Sequence, residues 1–166
     1  MYKRKIESFL LDWKNTPNHK PLVIKGCRQC GKTSSVVAFA KKHYKHVIYI
    51  DFHEQEQLCA LFAGSLSVDY LTMTISASVP GAQFVPKQTC LVLDEIQNCP
   101  RARSSLKFFM KDGRYDVICT GSLLGVGGYK SAEQIKAEDQ ATIPVGAETI
   151  VEMYPMDFEE WLWANG

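Results

Sequence analysis

The sequence predicts an α/β fold built on a parallel sheet with helices on both faces, and three observations carry that expectation. Short apolar runs alternate along the chain with segments of helical periodicity. Between the first run and the helix that follows it lies Gly26-Cys27-Arg28-Gln29-Cys30-Gly31-Lys32-Thr33, which fits G-x-x-x-x-G-K-[ST] without a mismatch. A later run, Cys90 to Leu93, has no polar alternation and ends in Asp94-Glu95.

Ile6, Phe9, Leu10 and Trp13 recur at helical spacing, so residues 2–13 predict an amphipathic helix, and Asn15 to His19 a turn. Lys20 to Lys25 reads as a buried strand. Thr33 to Tyr44 reads as a helix with Val36, Val37, Ala40 and Tyr44 inward. His46 to Phe52 is a second buried strand, rich in β-branched and aromatic residues. Glu54 to Ala63 predicts a helix closed by Gly64, and Ser67 caps another that stops before Pro80-Gly81.

Thr89 to Asp94 is the third strand. Pro100 opens a helix with Leu106, Phe109 and Met110 inward, and Gly113 ends it. Tyr115 to Thr120 is the fourth strand and Thr149 to Tyr154 the fifth. Asp157 caps a last helix, with Glu160 completing a capping box. Trp161 and Trp163 on that helix are expected either to close the core or to mark a chain cut from a longer protein. The 121–147 segment, glycine-rich with little apolar periodicity, is expected to be a mobile loop with at most one short helix. Residues 1–166 thus read as one domain, with 1–19 an N-terminal helix and turn.

The octapeptide has a chemistry of its own. Backbone N–H groups of such a loop, extending to Ser34, cradle phosphate at a helix N-terminus, where the dipole favours an anion. Gly26 permits the turn out of the strand, and Gly31 lets backbone approach phosphate. Lys32 reaches β- and γ-phosphates as a point charge. The Thr33 hydroxyl is placed to ligate Mg²⁺. Asp94, at the C-terminal edge of the sheet, would hold the same hydrated ion from the opposite side. Glu95 would orient or deprotonate a water attacking the γ-phosphate. Thr120-Gly121-Ser122 ends the fourth strand beside that water. Ser122 is the first choice for a sensing role and Thr120 the second, against the plainer reading of a strand-to-loop turn.

The bulk properties narrow the class. The chain has 166 residues, 46% hydrophobic and 22% charged, which suits a globular core without staples. A net charge of +1 does not indicate a nucleic-acid surface, and Lys3-Arg4-Lys5 reads as a solvated run. No stretch reaches the ~18 apolar residues of a membrane span. The six cysteines are not arranged as a secreted disulfide scaffold, which with the missing signal segment suggests the cytoplasm.

Together these features resemble the P-loop ATPases of the AAA-like superfamily, of the type with an additional strand and a catalytic glutamate. More closely, Gly26 to Thr33, Leu93 to Gln97, Thr120 to Ser122 and Tyr154 to Glu160 are similar to four motifs of a prokaryotic family of predicted ATPases. The resemblance implies a P-loop NTPase three-layer αβα sandwich, with a five-stranded parallel sheet in the order 5-1-4-3-2. It implies ATP and Mg²⁺ as ligands, ATP hydrolysis, and an N-terminal ATPase domain of a longer protein, working on a C-terminal domain or protein partner. A homo-oligomer stays open. Adenine over guanine rests on the resemblance alone. Gly146-Ala147 departs from the Gly-Arg that family members often carry before the fifth strand.

Other readings compete with this one. Cys27-x-x-Cys30 has redox or half-zinc spacing, but no second pair accompanies it; a thiol of low pKa at the helix N-terminus would make the loop oxidation-sensitive. Arg28, Arg101 and Arg103 offer no assignable arginine finger, so slow hydrolysis is expected. The runner-up is a nucleotide-binding switch or adaptor with negligible hydrolysis. A small-molecule kinase is less favoured, because 121–146 contains no arginine for a lid.

Overall fold

The computed structural model describes residues 3–122 and 146–165. Five strands, β1 (Leu22–Gly26), β2 (His46–Asp51), β3 (Thr89–Asp94), β4 (Asp116–Ser122) and β5 (Thr149–Met153), form one sheet in the order β2-β3-β4-β1-β5. Every pairing is parallel. This is the 5-1-4-3-2 order expected, read from the other edge. The central strands are apolar on both faces because both are covered: Leu91 and Leu93 of β3 enter one core, Cys90 and Val92 the other.

Helices α1 (Ile6–Asn15) and α2 (Lys32–His43) cover one face, with Leu10, Trp13, Val36 and Phe39 meeting Leu22, Ile24 and Ile118. Helices α3 (Val68–Ser78) and α4 (Pro100–Asp112) cover the other, with Leu71, Ile75, Leu106 and Phe109 against Val23, Ile50 and Val117. The caps follow the sequence signals. Ser67 accepts from the Tyr70 N–H, and Gly113 ends α4 in left-handed backbone at φ 67°. Among the described residues, no helix is long and apolar enough to cross a membrane.

Several expectations need correction. The helix expected over 54–63 is a 3₁₀ segment, Glu56–Phe62. The Asp51 carboxylate accepts from the backbone N–H groups of His53 and Glu54, so a turn uses the residues that would have begun the helix. Gly64 does not cap it, since Ala63 closes it in right-handed backbone; a Cβ on Gly64 would instead lie 2.8 Å from the Tyr70 hydroxyl. Strand β2 is an edge, not a buried strand, and leaves Tyr49 exposed. Val37 and Met110 are half-buried; Phe39 and Ala102 hold the core positions instead. Arg4 is buried, so the Lys3-Arg4-Lys5 run is not simply solvated. Most of the glycine-rich 121–147 segment lies outside the described residues.

The last helix, α5 (Phe158–Asn165), has the expected capping box: Glu160 N–H donates to Asp157 Oδ1 at 2.9 Å and Asp157 N–H to Glu160 Oε2 at 3.1 Å. Its tryptophans do not close the core. Trp161 and Trp163 are 52% and 40% exposed, Trp161 stacked on Phe158 and Trp163 under the Lys3 ammonium.

The junction of β1 with β5 is tight. A Cβ on Gly26 would stand 2.2 Å from the carbonyl oxygen of Met153, so this strand end admits glycine only. Gly26→Ala is expected to destabilise the fold by about 2 kcal/mol or more, read as a lower urea midpoint. A second outcome concerns acid. Burial raises the Glu160 pKa, but the Lys5 N–H, the Arg4 guanidinium and the Asp157 N–H outweigh it and hold this carboxyl below its ordinary 4.5. A depressed folded-state pKa contributes stability that is present above pH 4.5 and lost as pH falls through the folded value. The urea midpoint should drop over that window, and Glu160→Gln should flatten part of the drop.

Candidate functional site

In a parallel sheet the strand ends that carry ligands are the C-terminal ones. Here β1, β3 and β4 bring Gly26, Asp94 and Ser122 to that edge, with β4 between the other two. The loop from β1 to α2 turns through two left-handed residues, Gln29 at φ 62° and Gly31 at φ 91°. Gly31 stands at the N-cap of α2, where a side chain would be strained, and its carbonyl accepts the Ser35 N–H at 3.0 Å to begin the helix. Gly26 thus serves a close approach rather than a turn with positive φ.

Lys32 is buried with its amine folded into the loop, donating to the carbonyls of Gly26 at 3.1 Å and Cys27 at 2.6 Å. Arg28, Gln29 and Ser34 are exposed and Cys27 is half-buried. Cys30 is buried; burial raises its thiol pKa above the ordinary range, against the lowering pull of Lys32. At Cys30 this runs against the expectation of a low-pKa thiol: that position is desolvated, which outweighs the nearby positive charge. Among the described residues no group of three acidic, histidine or cysteine side chains could hold a metal ion.

Asp94 is where the loop and the sheet meet. It is 4% exposed, and its Oδ2 accepts from the Thr33 hydroxyl and the Tyr49 hydroxyl, both at 2.8 Å. Its Oδ1 accepts from the Thr120 hydroxyl and from the Glu95 N–H at 3.1 Å. The structure therefore unites Thr33 and Asp94 as the sequence suggested. It brings Thr120 rather than Ser122 onto Asp94; Ser122 pairs with Gly26 in the sheet register.

No sequence motif marks Tyr49. In register it faces Val92, and Asp94 lies two residues along on the same face of β3, a diagonal that a tyrosine can span. The signal was present as period-two alternation in β2, but it needed the identity of the neighbouring strand. Burial raises the Tyr49 pKa first, and the Asp94 carboxylate adds to the rise, so the phenol is a donor.

Glu95 is in left-handed backbone, φ 50° and ψ 48°, a conformation uncommon for a residue with a Cβ. Gln97 Nε2 donates to its Oε2. Gln97 was legible only as a member of a motif. The remaining arginine candidates hold the fold: Arg101 donates to the carbonyls of Phe62 and Gly64, and Arg103 forms a 2.6 Å ion pair with Glu148. A surface cavity of about 380 Å³ lies elsewhere, lined by Trp13, His19, Asp112 and Arg114; its arginine is already bonded to Asp112 and Asp69.

Comparison with solved structures finds this architecture in the ORC1 protein of Aeropyrum pernix in complex with DNA. The TM-score is 0.55 at 13% identity, covering 99% of this chain and 50% of that one. AMPPCP-bound DnaA from Aquifex aeolicus matches with a TM-score of 0.52 at 13% identity, covering 96% and 47%. The chain spans about half the length of these proteins, and the likeness is one of fold. No curated protein matches it significantly. A family model described as "AAA domain" matches residues 18–162, which include the loop, the Asp94-Glu95 strand end and all five strands. By that match, over most of its length, the chain belongs to the AAA domain family of P-loop proteins.

Proposed function

We propose that this chain binds Mg-ATP on the 26–34 loop and hydrolyses it slowly in isolation. The observation that carries the reading is the hydrogen-bonded meeting of Thr33, at the start of α2, with Asp94, at the end of β3, next to the buried Lys32 amine. A hydroxyl and a carboxylate at one point form a hard oxygen donor set, which suits Mg²⁺ with most of its waters retained. Thr33 and Asp94 are the residues to hold it. When bound, the ion neutralises charge on the β- and γ-phosphate oxygens.

The chain's own groups have separate tasks. Lys32 exchanges its bonds to the Gly26 and Cys27 carbonyls for phosphate oxygens, so the anion replaces neutral acceptors with charged ones. The loop N–H groups from Cys27 to Ser34 line the phosphates. Glu95 orients a water and accepts its proton as oxygen attacks the γ-phosphorus. The bond from that phosphorus to the β-phosphate oxygen breaks, and ADP and phosphate leave. Thr120, through Asp94, is better supported as the γ-phosphate sensor than Ser122. A partner or a following domain would receive the nucleotide state. The DNA seen with ORC1 is not carried over, because a net charge of +1 does not by itself indicate a nucleic-acid surface.

One observation favours the alternative of a switch with negligible turnover. The Glu95 carboxylate is occupied by Gln97, and Arg101 and Arg103 are committed to the fold. Hydrolysis would then await a partner that frees the glutamate and adds an arginine.

Phosphate release measured beside nucleotide titration decides between these readings. Wild type should bind Mg-ATP and turn over below ~1 s⁻¹. Lys32→Ala should lose binding, and Glu95→Gln should bind but lose turnover at least ~100-fold. Equal turnover by Glu95→Gln contradicts the assigned role, and binding without turnover in wild type supports the switch. Tyr49→Phe removes one of the donors on Asp94. It should fold with a loss of about 1 kcal/mol and shift the Mg²⁺ concentration for half-maximal ATP binding; an unchanged Mg²⁺ dependence makes Tyr49 purely structural.

A further inference from the structure

The family match begins at residue 18, yet a side chain that precedes it reaches the phosphate loop. Arg4 is 9% exposed. Its Nη1 donates to the carbonyl of Cys30 and its Nη2 to the carbonyl of Tyr154, each at 2.8 Å. Its Nε lies 3.1 Å from Glu160 Oε1, an ion pair out of line for a hydrogen bond. The same Glu160 oxygen accepts the Lys5 N–H at 2.7 Å. One guanidinium thus joins the phosphate loop, the end of β5 and the first turn of α5. A planar fork can donate to two carbonyls in fixed directions while its charge faces a carboxylate, and an ammonium cannot do so as well.

The acceptor on the loop matters most. The Cys30 carbonyl and the Gly31 N–H belong to one peptide unit, and in a trans peptide they point in opposite directions. A donor that holds the carbonyl therefore fixes where the N–H aims. Gly31 leaves room for that donor, since a Cβ there would stand 3.2 Å from Arg4 Nη1. We infer that Arg4 is a positioning residue for the phosphate loop: it holds the Cys30–Gly31 peptide so that the Gly31 N–H is presented to an anion, from a segment outside the matched family region. The inference rests on the nucleotide site proposed above.

The test is Mg-ATP affinity by calorimetry, well below each melting temperature, for wild type, Arg4→Lys and Glu160→Gln. Arg4→Lys keeps the charge opposite Glu160 but loses the fork; its affinity should fall about tenfold, the worth of a hydrogen bond to a charged group. Glu160→Gln leaves both carbonyl bonds in place, so its melting temperature should fall while its affinity stays within about twofold. The double variant Arg4→Met/Glu160→Met leaves no buried charge unpaired and should repeat the tenfold loss if Arg4→Lys does not fold. Wild-type affinity in a folded Arg4 variant overturns the inference and leaves the nucleotide site standing. Absence of Mg-ATP binding in wild type overturns the site itself, and the inference with it.

Discussion

Everything at the candidate site hangs on one buried carboxylate. Asp94 ends β3 with both oxygens occupied, by hydroxyls from α2, β2 and β4 and by the next N–H along the chain. A buried charge without such donors would be very costly, and with them it becomes a fixed acceptor around which three elements are held in register. The same oxygens are the ones a hard cation would take. On the proposed reading, the residue that ties these elements together is also the one a metal would use.

Three residues near the ends of the Thr33–Asp94 contact adopt left-handed backbone. Gln29, Gly31 and Glu95 all have positive φ, and they flank the Thr33–Asp94 contact in the chain. Strain at one residue is of order 1–3 kcal/mol and persists only where surrounding structure overdetermines it. Here the surroundings are β1 and β3, buried on both faces, and the first turn of α2. The rigid sheet is thus what lets the loop carry a geometry that an isolated peptide would leave. Glycine is indispensable at Gly26 for a different reason: the approach of β5 leaves no room for a Cβ.

The strands and the loop were legible because each rests on local chemistry or short periodicity, whereas the strand order was implied by the family resemblance alone. Apolar runs without alternation mark strands covered on both faces, and a Gly-Lys-Thr before a helix marks an anion site. The Thr33–Asp94 pair was legible because both ends were strand or helix termini whose positions the fold dictates. Tyr49 was not, since its partner lies on a neighbouring strand and its own apolar run reads as a buried strand although it forms an edge. The 56–62 segment misled because an Asp51 turn, a contest between side chain and helix for the same N–H groups, leaves no trace in apolar spacing.

Arg4 shows the limit most sharply. In the sequence it stands between two lysines, and a basic triplet at a chain's start ordinarily means solvent. Lys3 and Lys5 do face outward, toward Trp163 and the acidic start of α5. Only the middle cation turns in, just ahead of α1, toward the carbonyls of Cys30 and Tyr154 where the loop turns and β5 ends. Those carbonyls exist because β5 ends at Met153 and the loop turns at Cys30. A loop turn and a strand end with such acceptors create a demand for a forked donor, and that demand is a property of the assembled edge rather than of any one segment.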